Sequence, residues 1–160
     1  VRTALTQRAA VLQPVCGGRL LPAPNIHLTL AFLGHIAPER LAELKCMAAA
    51  LTAERFTLMF DHAGYWRQPR IVWAGLVTVP PALEALAAVL DQGLRAHGFR
   101  TESRKFIPHV TLLRDARSVP PVTALEPLSW PVRRFVLAHS CPVPGGVRYD
   151  IAGSWPLQAG

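Results

Sequence analysis

An α+β fold built mainly from antiparallel strands is the architecture this sequence predicts, on three observations. Two short apolar runs, Ile26-His27-Leu28-Thr29-Leu30 and Pro108-His109-Val110-Thr111-Leu112, repeat a His-x-Thr pattern, one in each half of the chain. Each half also carries one long helical stripe. The remaining apolar segments follow one another across Pro- and Gly-rich turns instead of alternating with helices, which argues against a doubly wound parallel sheet. No glycine-rich phosphate loop occurs.

Taken in order, a first helix is expected over residues 2–13, with Leu5, Ala9 and Leu12 on one face. A loop follows from Pro14 to Pro24, marked by Gly17, Gly18 and Pro22. The strand around His27 ends at Gly34. Pro38 suits a first helical position, and Leu41, Leu44, Ala48 and Leu51 form a stripe to about residue 52. Arg55–Phe60 and Arg70–Val79 read as an antiparallel pair split by Gly64 and Pro69. Pro80 and Pro81 open a helix with Leu83, Leu86, Leu90 and Leu94 on one side, and Gly98 stands where a C-terminal cap is needed. The second motif strand is expected over 106–113, and two more strands over 132–139 and 147–153.

Bulk properties narrow the class. A length of 160 residues with 51% hydrophobic content fits a single domain of residues 1–160, with room for two similar lobes. No apolar run approaches the roughly 20 residues a membrane helix needs. The net charge of +7 is carried almost wholly by arginine, because Lys45 and Lys105 are the only lysines. Planar guanidinium groups are well shaped for phosphate. Cys16, Cys46 and Cys141 are odd in number and widely spaced, so neither a disulfide framework nor a zinc knuckle is indicated, and a reducing cytoplasm is the expected setting. No signal peptide is recognisable, although the sequence opens on Val1 and not on methionine.

The doubled motif carries the chemistry. Alternation along a strand puts His27 and Thr29 on one face and turns Leu28 and Leu30 to a core; His109 and Thr111 repeat this against Val110 and Leu112. Within each pair the Cα atoms lie roughly 7 Å apart, so imidazole and hydroxyl reach one small anion together. The copies are 82 positions apart, and a pseudo-twofold arrangement could bring both to one cleft. One imidazole can take a proton from attacking water while the other protonates a leaving oxygen. In-line displacement at phosphorus wants those groups on opposite sides. Threonine hydroxyls can hold the non-bridging oxygens, and an arginine can offset the growing charge. Neither motif contains a carboxylate, so a metal site is not indicated, and no Gly-x-Ser-x-Gly is present. His35, His62, His97 and His139 lack the His-x-Thr context and read as surface or structural residues.

These residues resemble the two-histidine phosphoesterase superfamily, and their flanks resemble its bacterial RNA 2′,3′-cyclic phosphodiesterases, also named 2′-5′ RNA ligases. The matching stretches run from Asn25 to Gly34, from Arg70 to Leu76 and from Arg104 to Arg114, and continue with Tyr149 and Trp155-Pro156-Leu157. The resemblance implies a bilobal structure in which two antiparallel sheets, related by pseudo-twofold symmetry, form a V-shaped cleft with helices on the outer faces. It implies metal-free and cofactor-free hydrolysis of a ribose 2′,3′-cyclic phosphate to a 2′-phosphate. His27 would be the general acid at the 3′ oxygen and His109 the general base for water. Thr29 and Thr111 would hold the phosphate with Arg114 close by, which requires the strand to end or bend at Leu113, since simple alternation sends Arg114 to the other face. Family members also begin with a strand, typically Arg-x-Phe-x-Ala-x, that is missing before the first helix here. The expected partners are RNA ends or nucleotides bearing a 2′,3′-cyclic phosphate, met by a monomer without a membrane. Two other readings are reversible 2′-5′ RNA ligation, with a 5′-hydroxyl replacing water, and a nucleotide- or RNA-binding module without turnover.

Overall fold

The computed structural model describes residues 1–159. Strands β1 (Arg19–Leu20), β2 (Phe56–Trp66), β3 (Ile71–Gly75), β4 (His109–Arg114) and β5 (Ala124–Val132) form one sheet in the order β1-β4-β3-β2-β5, with every neighbouring pair antiparallel. Strands β6 (Arg134–Val143) and β7 (Gly146–Pro156) pair as a separate antiparallel ribbon. Helices α1 (Arg2–Cys16), α2 (Leu41–Ala50) and α3 (Pro81–Ala96) complete the α+β architecture.

One face of the large sheet is the core. Helix α1 buries Leu5, Ala9, Leu12 and Cys16, successive turns of one face, against Leu58, Phe60, Val72, Val110 and Leu112. It runs through Pro14, where the sequence reading begins a loop. The proline forfeits one helical hydrogen bond, but the fully buried Cys16 keeps the last turn on the sheet. Gly17, at φ +68°, ends it by donating its N–H to the Gln13 carbonyl at 2.8 Å. Helix α3 buries the expected Leu83, Leu86, Leu90 and Leu94, and Gly98, at φ +68°, caps it. Helices α2 and α3 meet through Leu44, Met47, Leu90 and Leu94 beside Phe99, while Ala48 and Leu86 reach Phe135 and Leu157 of the ribbon side.

Three strand readings need correction. Strand β2 extends through Gly64 to Trp66, because Gly64 serves as the bare patch on which the Trp73 indole lies; a Cβ there would meet that ring at 2.1 Å. Strand β5 was absent from the sequence reading, since Pro127 and Pro131 look like breakers. It pairs only with β2, at the sheet edge, where a missing N–H costs no ladder bond. The run around His27 is not a regular strand: one antiparallel bridge, Leu28 to Val110, joins it to β4. The free edge of β4 is short. Pro108 lies before it and β1 already occupies it at Leu113 and Arg114, leaving room for a single pairing.

Candidate active site

The position of both motifs follows from that one bridge. With Leu28 opposite Val110 in antiparallel sense, the next positions face each other as His27 with Thr111 and Thr29 with His109. Leu28 and Val110 turn into the core, so alternation sends the two histidines and two threonines to the open face of the sheet. The structure thus brings together all four motif residues.

Each imidazole is held the same way. His27 Nδ1 lies 2.6 Å from the Asn25 carbonyl, and His109 Nδ1 lies 2.8 Å from the Ile107 carbonyl. A carbonyl only accepts, so Nδ1 carries the proton and Nε2 is left free to take or give one. Both bonds reach back two residues along the chain. Asn25 is fixed in turn by donating its side-chain amide to the Val147 carbonyl of β7 at 2.7 Å, at the end of the short 3₁₀ turn that starts at Ala23.

Arg114 reaches the same face by a bulge. The β3–β4 register slips between Val72 and Trp73, so that Leu113 pairs with Val72 while Thr111 pairs with Trp73, and Leu112 is the extra residue. Leu112 and Leu113 are both fully buried, and Arg114 emerges exposed on the side of His109 and Thr111. The bulge resets the alternation that five residues of regular strand would have given. Next to it, Gly18, at φ +84°, lets the chain pass so close to β4 that a Cβ would stand 2.4 Å from the Arg114 carbonyl oxygen.

Aromatic rings frame the histidines, and sequence reasoning did not single these out as site residues. Trp66 meets His109 edge-on with ring centroids 4.5 Å apart, Trp73 lies 6.4 Å from His109, and the two indoles are 5.2 Å apart. Tyr149 of β7 packs on His27 at 4.8 Å. Trp73 lies flat because Gly64 and Gly75 flank it. Half-burial among these rings holds the His109 imidazole below its ordinary value by desolvation; the Ile107 carbonyl opposes that, and the nearby His27 charge adds to it. A lowered value keeps His109 neutral near pH 7, the form a general base needs.

The other histidines stand apart from the pair, except that His62 lies in the same row and on the same sheet face as His109, both opposite Gly75. His62 is separated from His109 by Trp73, with centroids 5.8 Å from that indole. His97 pairs with Glu43 at 3.1 Å, and His139 lies beside Cys141 on the ribbon. Among the described residues no group of three His, Cys, Asp or Glu side chains is placed to hold a metal ion, and no helix is long and apolar enough to cross a membrane.

Paired imidazoles with free Nε2 atoms, sharing a sheet face with two hydroxyls and an arginine, are groups suited to acid–base chemistry on a phosphate ester. A model of the LigT like Phosphoesterase family matches residues 1–73 and 77–149, and the chain belongs to that family. It is 38% identical to the RNA 2′,3′-cyclic phosphodiesterase of Escherichia coli over 90% of this chain and 82% of that protein. Against the protein of the same name from Thermus thermophilus it is 30% identical, over 99% of this chain and 85% of the other. The crystal structure of E. coli LigT complexed with 3′-AMP superposes with a TM-score of 0.90 at 36% identity, covering 98% of this chain and 90% of that one.

Proposed function

We propose that the chain hydrolyses RNA 2′,3′-cyclic phosphates to 2′-phosphates. The observation that carries this reading is the face-to-face placement of the two His–Thr pairs across the Leu28–Val110 bridge, both Nδ1 atoms tied to backbone carbonyls. Neutral His109 takes a proton through Nε2 from water as the water oxygen bonds to phosphorus. The bond from phosphorus to the 3′ oxygen breaks, and protonated His27 gives its Nε2 proton to that oxygen. Thr29 and Thr111 hold the non-bridging oxygens, and Arg114 offsets the charge that builds on them. The donor set of imidazoles and hydroxyls supports a route without a metal ion. The names of the relatives from E. coli and T. thermophilus, and the 3′-AMP held by the former, support a substrate carrying phosphate on a ribose edge.

In this reading the whole chain is one domain whose large sheet and β6–β7 ribbon act as two lobes of a V-shaped cleft related by pseudo-twofold symmetry. Support comes from the antiparallel meeting of the two motifs and from Tyr149 of the ribbon packing on His27. A monomer acting in the cytoplasm suffices, since this chain supplies both histidines.

The test is incubation with each nucleoside 2′,3′-cyclic phosphate, with the product assigned by phosphorus NMR against authentic 2′- and 3′-monophosphates. A 2′-phosphate is expected. A 3′-phosphate would exchange the roles of the histidines, and tight nucleotide binding without turnover would replace the enzyme by a binding module.

A further inference from the structure

We propose that His62 is a base-reading residue: its imidazole hydrogen-bonds an edge atom of the nucleobase on the ribose whose cyclic phosphate the His–Thr pairs hold. This rests on the hydrolase reading above and adds the residue that meets the nucleoside end of the substrate.

Register fixes where His62 stands. The row of Thr29 and His109 continues across the open face through Gly75 on β3 to His62 on β2. The neighbouring row of His27 and Thr111 continues through Trp73 to Gly64. Two strand spacings separate His62 from His109, roughly 10 Å at their Cα atoms. His62 reaches this face through a break in alternation. Inward positions are Leu58 and Phe60 before it and Ala63 and Tyr65 after it, and the β2–β5 register shifts between Phe60 and His62. Unbroken alternation from Phe60 would turn His62 into the core. Asp61 holds the shifted segment by accepting the Val77 N–H at 2.8 Å. Such irregularities re-aim side chains beside active sites, as the one at Leu112 does for Arg114.

The imidazole is uncommitted. His27, His97, His109 and His139 each hold Nδ1 against a partner, whereas neither nitrogen of His62 has a hydrogen-bond partner among the described residues. His62 is half-buried beside Trp73, with centroids 5.8 Å apart. Between His62 and His109 no side chain rises from Gly75. The Trp73 indole lies there instead, and a Cβ on Gly64 or Gly75 would meet it at 2.1 or 2.5 Å. Beyond the phosphate, the open face is thus a low aromatic floor that ends at a free imidazole. On the opposite side Tyr149 of the ribbon packs on His27, which leaves this floor for the nucleoside. In a ribose 2′,3′-cyclic phosphate the base hangs on C1′, next to the carbon that bears the 2′ oxygen. It therefore lies one sugar ring away from the reacting phosphorus. A flat ring with polar edge atoms fits an aromatic floor with a hydrogen-bonding group at its rim. Neutral imidazole offers one donor and one acceptor, and bases carry both on their edges.

The test compares wild type with His62→Ala on adenosine 2′,3′-cyclic phosphate and on 1-O-methylribose 2′,3′-cyclic phosphate, which lacks a base. His139→Ala, on the ribbon, is the control. The ratio of kcat/KM for the nucleotide to that for the base-free sugar is expected to fall about fivefold in His62→Ala, through KM, as the loss of one hydrogen bond would give. An unchanged ratio, equal losses on both substrates, or an equal fall in His139→Ala would overturn the assignment. If wild type turned over neither substrate, the hydrolase reading would fall. The NMR signals of the His62 ring would still decide its role: they should shift on adding 3′-AMP and stay put with inorganic phosphate. Shifts with neither, or alike with both, would remove His62 from the base.

Discussion

His27 and His109 share a motif, a tautomer and a backbone anchor, yet their surroundings differ. Tyr149 packs on one, while Trp66 and Trp73 half-bury the other. General acid–base groups contribute about 10²–10⁴-fold in rate, so His27→Ala and His109→Ala should each lose that much kcat with unchanged circular dichroism. Activity should fall as pH drops through the His109 value, which lies below that of an ordinary imidazole because burial disfavours its charged form. Trp66→Ala opens that imidazole to water; its NMR titration midpoint should move up toward the ordinary value, and one that stays put would remove Trp66 as the cause. Arg114→Ala should raise KM for a cyclic nucleotide with the fold intact, and unchanged kinetics would return Arg114 to the solvated surface. At this scale the His–Thr pairs could be picked out because the pattern occurs twice, once in each half of the chain and each time within an apolar run. Trp66 and Trp73 were not, since aromatics within strands usually mark packing. Alternation alone put Arg114 on the wrong face, because the extra residue Leu112 leaves no trace in the apolar pattern.

Among the elements, helices were read more accurately than strands. Leucine at helical spacing reports one buried face directly, and α3 begins at Pro81 and ends before Gly98 as expected. Strand limits depend on partners that lie far off in sequence. Pro127 and Pro131 are tolerated in β5 only because it has β2 on one side and nothing on the other, and the His27 run is cut to one bridge by what already occupies β4. Gly64 inside β2 looks like a break and is instead a seat for Trp73. Gly64→Ala should therefore force the indole aside. Overpacking of this kind costs typically about 1–3 kcal/mol, readable as a lower urea midpoint, and kcat should fall as the ring wall behind His109 shifts. A variant as stable and active as wild type would mean that Trp73 repacks freely.

For the molecule as a whole, the two histidines and two threonines lie on the open face of the large sheet, opposite the face that α1 covers. Since the reacting groups are imidazoles and hydroxyls, hydrolysis of cyclic nucleotide should persist in excess EDTA; loss on chelation with recovery on adding a divalent ion would require a different mechanism. The two proton carriers also sit on supports of unequal stiffness. His109 belongs to a strand bonded along β3, whereas the backbone around His27 meets the sheet at the Leu28 bridge and is otherwise steadied by buried Ile26, by Arg2 on the Ile26 carbonyl and by the Asn25 link to β7. Amide hydrogens flanking His27 should consequently exchange with deuterium well before those flanking His109, because local opening there breaks few bonds. A ligand gripped by both pairs should slow the faster set far more than the slower one. If His27 is the proposed acid, that pattern would mark it as the histidine that substrate orders, and His109 as the one held in place beforehand.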